Sequence, residues 1–314
     1  MAGDELRGRA MASEVLIRIE GGGAGLAERA FANLEALETR WTRFRPQSEI
    51  SRLNSARGAP VEVSPETATL VATMITAHRL TGGRFDPSQL PALLRAGYRA
   101  SIHDAQLVTE LPPGCPSHDV QGIRFDRPSG TIQLPVGLAL DPGGLGKGLA
   151  ADLLAGRLVA EGATAALVSV GGDLALAGQP IGGTWPIGIE HGHDSGLDSP
   201  RQAVILTVDR GGVATSSTRS RRWFNERGEH HHTIDPETER PAVTDLVSST
   251  VVAGSAWWAE VLATASLTAG SDQGWQLLTD HQVEGVLQDE SGSTHFTAGL
   301  AMSALAPEPM GARR

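Results

Sequence analysis

Residues 138–152, LALDPGGLGKGLAAD, constrain this chain more than any other stretch. Apolar residues alternate loosely into Asp141, as in a strand that ends in an acid. A turn rich in glycine follows, and residues 149–161 then carry a helical apolar pattern, with Gly162 as its stop. Glycines let backbone approach a ligand closely, a helix N-terminus offers free N–H groups, and Lys147 adds charge, so a phosphate can sit here. The common phosphate loops do not fit. A Walker loop would place Gly at position 141 and Ser or Thr at 148, where Asp141 and Gly148 stand, and the even spacing of Gly144, Gly146 and Gly148 breaks the dinucleotide pattern. A purely structural turn between strand and helix is the other reading of these residues.

The length of 314 residues allows one large domain or two lobes. A formal charge of −10 argues against a general nucleic-acid surface. No apolar run is long enough to span a bilayer, so no membrane insertion is expected. The one cysteine, Cys115, excludes an internal disulfide framework. Residues 1–10 are charged and lack an apolar signal core, which reads as a cytoplasmic chain. They and residues 303–314 read as loose termini around one domain over 11–302.

Residues 15–19 alternate as a first strand, and Ala27, Ala30, Phe31, Leu34, Leu37 and Trp41 mark one helix face. Ser48 can cap a short helix after Pro46, and Ser64-Pro65 starts a second long helix ending near Thr81. Residues 99–120 read as loop or small insert, and residues 191–201 as a surface loop. Strands are expected near Ile123 and Ile132, and over 165–170, 174–177, 185–190 and 203–208. Arg227-Gly228 and Ser291-Gly292 read as hairpin turns. Ser255 reads as the cap of a helix over 256–269, stopped by Gly270, with a last helix after it.

Seven segments, in this order, resemble the ApbE-like FAD:protein FMN transferases: FRPQSEISRLN, GRFDPS, LDPGGLGKGLAAD, VSVGGDLALAG, ATSST followed by RRW, HHHTIDPETERP, and AEVLATASLTAG. The resemblance implies an α+β, two-lobed fold with mixed or antiparallel sheets flanked by helices and a ligand cleft between the lobes. It implies transfer of FMN from FAD, with Mg2+ or Mn2+, to a Thr or Ser hydroxyl of an acceptor protein, releasing AMP. FAD pyrophosphatase activity and a flavin carrier without catalysis are the alternatives.

By the same resemblance, Asp141 and Lys147 would touch FAD, Phe44 would lie near the flavin ring, and Phe85 and Asp86 would border the cleft. Met11 would contact the flavin at the head of the first strand, and Thr233 would join the nucleotide contacts. Thr215 and Ser216 can offer hydroxyls to a phosphate, or simply end a polar strand. The Gly144 carbonyl, Glu260 and Thr264 would hold the metal. Glu260 and Thr264 are four apart on one helix face, and oxygen ligands suit Mg2+; a solvated acid and a core hydroxyl would show the same spacing. His232 is the expected base, because an imidazole titrates near neutrality; a strand-end His bonded to a turn carbonyl is the plain alternative. A zinc site of His230, His231 and His232 is disfavoured, since only alternate strand residues share a face. Arg219, Arg221 and Arg222 can pair with phosphates or form a solvated charged face. Glu239, where relatives carry Gly, suggests a turn of another shape.

Overall fold

The computed structural model describes residues 4–101, 104–191, 202–225, 228–291, 293–297 and 300. Residues 303–314, the 192–201 loop and the turn positions 227 and 292 lie outside them. The chain opens with a hairpin of β1 (Asp4–Ala10) and β2 (Ser13–Glu20), in register Ala10 opposite Ser13. The expected loose N-terminus is therefore a strand from residue 4. Met11 and Ala12, at φ 51° and 57°, form its two-residue turn; two left-handed central residues match the right-handed twist of the flanking strands.

Helix α1 (Leu26–Trp41) buries Leu26, Ala27, Ala30, Leu34, Leu37 and Trp41. Helix α2 (Glu49–Ser55) is capped by Ser48, whose Oγ accepts from the Ser51 N–H at 3.0 Å. After β3 (Val61–Glu62), α3 (Pro65–Leu80) starts on the Ser64 cap, as the sequence predicts. A short helix α4 (Leu90–Arg95), not anticipated, precedes the 99–120 loop. Strands β4 (Arg124–Asp126) and β5 (Thr131–Gln133) pair beside it. Then come α5 (Gly146–Ala160), β6 (Ala165–Val170), β7 (Asp173–Gly178), β8 (Trp185–His191), β9 (Gln202–Val208) and β10 (Gly211–Ser217). The short pairs β11 (Arg222–Asn225) with β12 (Gly228–His231) and β13 (Ile234–Asp235) with β14 (Arg240–Pro241) follow. Strand β15 (Leu246–Ala253), helix α6 (Ala256–Asp280), β16 (Glu284–Asp289) and β17 (Thr294–Phe296) complete the described fold. Gly270, at φ 80° and ψ 176°, divides α6 where a helix stop was expected.

An antiparallel sheet runs β1-β2-β6-β7-β10-β15-β16-β17, which makes the fold α+β as expected. Its middle is buried on both faces. Ala166, Val168 and Val170 of β6 join the core beneath α1 and α5, while Ala165 and Leu167 join a second core with Trp185, Ile187 and Leu206 of the β8–β9 hairpin. Alternate residues of one strand thus feed opposite cores, and the strand reads as a continuous apolar run. Among the described residues no helix is long and apolar enough to cross a membrane.

Helices α5 and α6 meet at their N-terminal turns. A Cβ on Gly148 would lie 2.5 Å from the Ala256 carbonyl oxygen, so only Gly permits this approach. The Ser255 side chain makes no capping bond, contrary to the sequence expectation. The Asp152 carboxylate of α5 instead accepts from the Ala256 and Trp257 N–H groups, both at 2.9 Å. Burial pushes its carboxyl up to about 6 despite those two donors.

Candidate active site

The glycine turn ahead of α5 is fixed by side chains rather than by a sheet. Residues 138–141 are not the expected strand: only Leu138 makes an isolated bridge, to Ser117. Their backbone is satisfied otherwise. Asn54 bonds both the N–H and the carbonyl of Leu140 at 2.8 Å, and the Asp141 N–H reaches the Pro87 carbonyl at 2.8 Å. Helix α5 begins at Gly146, three residues before its apolar pattern, so Lys147 sits in its first turn. Gly144 turns the chain at φ 78°, and a Cβ there would lie 3.3 Å from the Phe85 ring and 3.4 Å from Thr264 Oγ1.

Lys147 reaches two buried carboxylates. Its ammonium is ion-paired to Asp173 and lies 3.3 Å from Glu260 Oε1. The Asp173 and Glu260 side chains are 1% and 3% exposed, so Lys147 is the cation that faces both of these buried carboxyl groups. The other Glu260 oxygen accepts from the Gly148 N–H at 2.8 Å, at the positive end of α5. Burial raises the Glu260 carboxyl, against the pull of Lys147. Burial would lower the Lys147 ammonium, and Asp173 and Glu260 together outweigh it and hold it above the usual lysine range. One helical turn beyond Glu260, Thr264 Oγ1 is 2.9 Å from Ser216 Oγ, and the neighbouring Thr215 hydroxyl meets Thr250 at 2.8 Å.

These groups line a cleft of about 640 Å³ that also holds Met11, Phe44, Phe85, Asp86, Asp141, His232 and Thr233. Every residue that the resemblance placed in the FAD or metal site therefore borders one space. Met11 does so from the β1–β2 turn, at the head of the strand that holds residues 15–19. The three histidines diverge. His230 stacks on Trp223 at 6.2 Å, and His231 Nε2 meets the Ala242 carbonyl at 3.0 Å. Only His232 lines the cleft, and its Nδ1 is buried without a hydrogen-bond partner. Burial, then the charges of Arg221, Lys147 and His231, pull the His232 imidazole down to about 3 against a hydrogen bond to the Ser220 backbone, so it stands neutral near pH 7 rather than titrating there as expected. No group of three His, Cys, Asp or Glu among the described residues is arranged to hold a metal. Of the arginine cluster, Arg221 lines the cleft.

Arg43 and Tyr98 escaped the sequence reading. The Arg43 side chain is 5% exposed and lies 3.7 Å from Asp141. It donates to Thr109 Oγ1 at 2.6 Å and the Tyr98 carbonyl at 3.0 Å. It also lies against the Phe44 and Tyr98 rings, at 4.2 and 4.7 Å from their centroids. Burial pulls its pKa down, opposed by Asp141. The 99–120 stretch, read as loop or small insert, thus supplies Ser101, Asp104 and Leu107 to the cleft, with Tyr98 just ahead of it. Its one signal was Arg43 itself, a cation beside an aromatic residue. Glu239, at φ 54°, adopts the left-handed conformation that a Gly takes at no cost, and its N–H bonds the Asp235 carbonyl at 2.9 Å.

Residues 11–287 match the model of the ApbE family. The chain belongs to the ApbE family. This ApbE-family chain is 29% identical over 270 residues to a FAD:protein FMN transferase of Treponema pallidum, covering 81% of this chain and 74% of that protein. It is 28% identical over 255 residues to one of Vibrio cholerae, covering 80% and 75%. The solved ApbE protein of Thermotoga maritima superimposes with a TM-score of 0.79 at 23% identity, covering 95% of this chain and 97% of that one. The apo flavinyl transferase ApbE of Pseudomonas stutzeri gives 0.78 at 24% identity, covering 95% of each. These two likenesses establish the shared fold.

Proposed function

We propose that this chain transfers FMN from FAD to a Thr or Ser hydroxyl of an acceptor protein, with a divalent cation, Mg2+ or Mn2+, and releases AMP. The observation that carries the reading is the convergence on one cleft of the Lys147–Asp173–Glu260 trio, the Thr264 and Ser216 hydroxyls, and the neutral His232. FAD would lie with its ring toward Phe44 and its pyrophosphate toward Lys147. The acceptor oxygen forms a bond to the FMN phosphorus as the bond to AMP breaks, and His232 takes the hydroxyl proton. Lys147 and Arg221 offset charge on the pyrophosphate.

The donor set fits a hard cation. Glu260 offers a carboxylate, Thr264 a hydroxyl and Gly144 a carbonyl, all oxygen, beside the buried Asp173 carboxylate. When bound, the cation would supply Lewis-acid stabilisation of phosphate charge. Three protein ligands leave half an octahedron for FAD and water, so the ion should bind weakly without FAD.

Incubating the protein with FAD, Mg2+ and a candidate acceptor, then weighing the acceptor, tests the reading. An acceptor heavier by FMN supports transfer. Free FMN and AMP with an unchanged acceptor would mean hydrolysis, and intact bound FAD would mean a carrier.

A further inference from the structure

We propose that Glu239 is a positioning residue: a strut that ties the hairpin leading from His232 to the opposite wall of the cleft at Asp86. Its left-handed backbone, φ 54°, is one that a side chain rarely adopts and that persists where surrounding contacts fix it. Those contacts are present. The Glu239 carboxylate meets His118 Nε2 at 2.9 Å through one oxygen and is ion-paired to Arg95 of α4 through the other. His118 Nδ1 lies 2.6 Å from Ser88 Oγ and 3.4 Å from Asp86 Oδ2. Asp86, which lines the cleft, accepts from the Ser88 N–H and hydroxyl and from Gln89.

The other end of the strut is equally defined. The β13–β14 hairpin carries Glu239 at its tip, pairs Ile234 with Pro241, and closes through the Ala242 N–H to the Thr233 carbonyl at 3.0 Å. Thr233 is buried and follows His232 directly, and Thr233, Ile234 and Pro236 line the cleft. A row of bonds therefore links the wall that holds His232 to the wall that holds Asp86, through Glu239, His118 and Ser88. The order of serine, histidine and glutamate resembles a hydrolytic triad, but Ser88 is fully buried and cannot meet a substrate. Exposed ion pairs of this kind add little stability singly, so the effect of the strut is on the spacing of the two walls.

The inference rests on FAD binding in this cleft, and its test is FAD titration by flavin fluorescence alongside thermal melting. Glu239→Gly removes the carboxylate and relieves the backbone. It should weaken FAD binding about fivefold while the melting temperature stays level or rises. His118→Leu, which leaves the Glu239 backbone untouched, should weaken FAD binding similarly. Glu239→Gln, which keeps contacts to Arg95 and His118, should stay within twofold of wild type. If Glu239→Gly or His118→Leu binds FAD within twofold of wild type, the strut is overturned while the functional reading stands. If Glu239→Gly loses affinity and melting temperature together, Glu239 is merely structural and the inference fails. Wild-type protein that binds no FAD would overturn the functional reading itself.

Discussion

Gly148→Ala offers a direct test of how α5 and α6 are held together. The added Cβ would lie 2.5 and 2.6 Å from the Ala256 oxygen and carbonyl carbon, and 2.8 Å from the Trp257 nitrogen. Ordinary contact needs about 3.5 Å, so the helices must part by about 1 Å. Overpacking of this kind costs about 1–3 kcal/mol, and the upper part of that range applies because backbone cannot rotate away. Alanine returns about 1 kcal/mol through helix propensity. The net loss is about 1–2 kcal/mol. For a chain of this length the unfolding entropy is about 0.65 kcal/mol per degree, so melting should fall by about 1.5–3 °C. Gly156, on the same helix, has nothing within 4 Å of its added Cβ. Gly156→Ala should therefore raise the melting temperature by about 1.5 °C. Differential scanning calorimetry reads both variants. A Gly148→Ala protein that melts at or above wild type would refute the steric account, because propensity alone would then govern the site.

Three further outcomes follow from the geometry. His232 is held near 3 in the folded chain against 6.5 unfolded, so the unfolded chain binds the extra proton between those values. Stability should thus fall as pH drops from about 6.5 toward 3, and His232→Gln should flatten that slope in urea melts at pH 7 and pH 5. Ala12→Gly relieves a left-handed residue costing roughly 1–2 kcal/mol and forfeits roughly 0.5–1 kcal/mol of chain entropy. Its melting temperature should rise by about 1 °C, and a fall would contradict the strain argument. Glu260→Asp should keep transfer activity and Glu260→Gln lose most of it, measured as AMP release; activity that survives EDTA or Glu260→Gln would remove the metal from the reading.

Local signals carried most of the helices. Ser48 and Ser64-Pro65 announce helix starts because a capping hydroxyl and a proline act on their own segment. The turn at Met11-Ala12 gave no such signal, since neither residue is a usual left-handed turn former, and β1 was missed with it. Asp152 was invisible as the cap of α6 because it acts across more than a hundred residues, while Ser255 stood in the expected position. Arg43 and Tyr98 were missed for the same reason: each gains its place in the cleft only when the insert folds back onto the 42–44 segment. The 138–141 stretch looked like a strand because its apolar pattern is that of buried extended chain, and pattern cannot tell whether a neighbouring strand or Asn54 satisfies the backbone.

The docking of α5 on α6 also sets an order of events during synthesis. The Gly148–Glu260 and Asp152–Ala256 bonds join residues 112 and 104 positions apart. A nascent chain that has not yet released residues 256–264 holds Lys147 without Glu260 or Thr264. Chains emerge at about 5–20 residues per second, so the proposed nucleotide site stays incomplete for several seconds after Gly148 has emerged. On the proposed function, FAD would therefore stabilise the chain only once residues 256–264 have emerged, and would not guide the folding of the segments before them. Ribosome-held chains stopped before Ala256 should gain no protection from protease when FAD is added, whereas the released chain should.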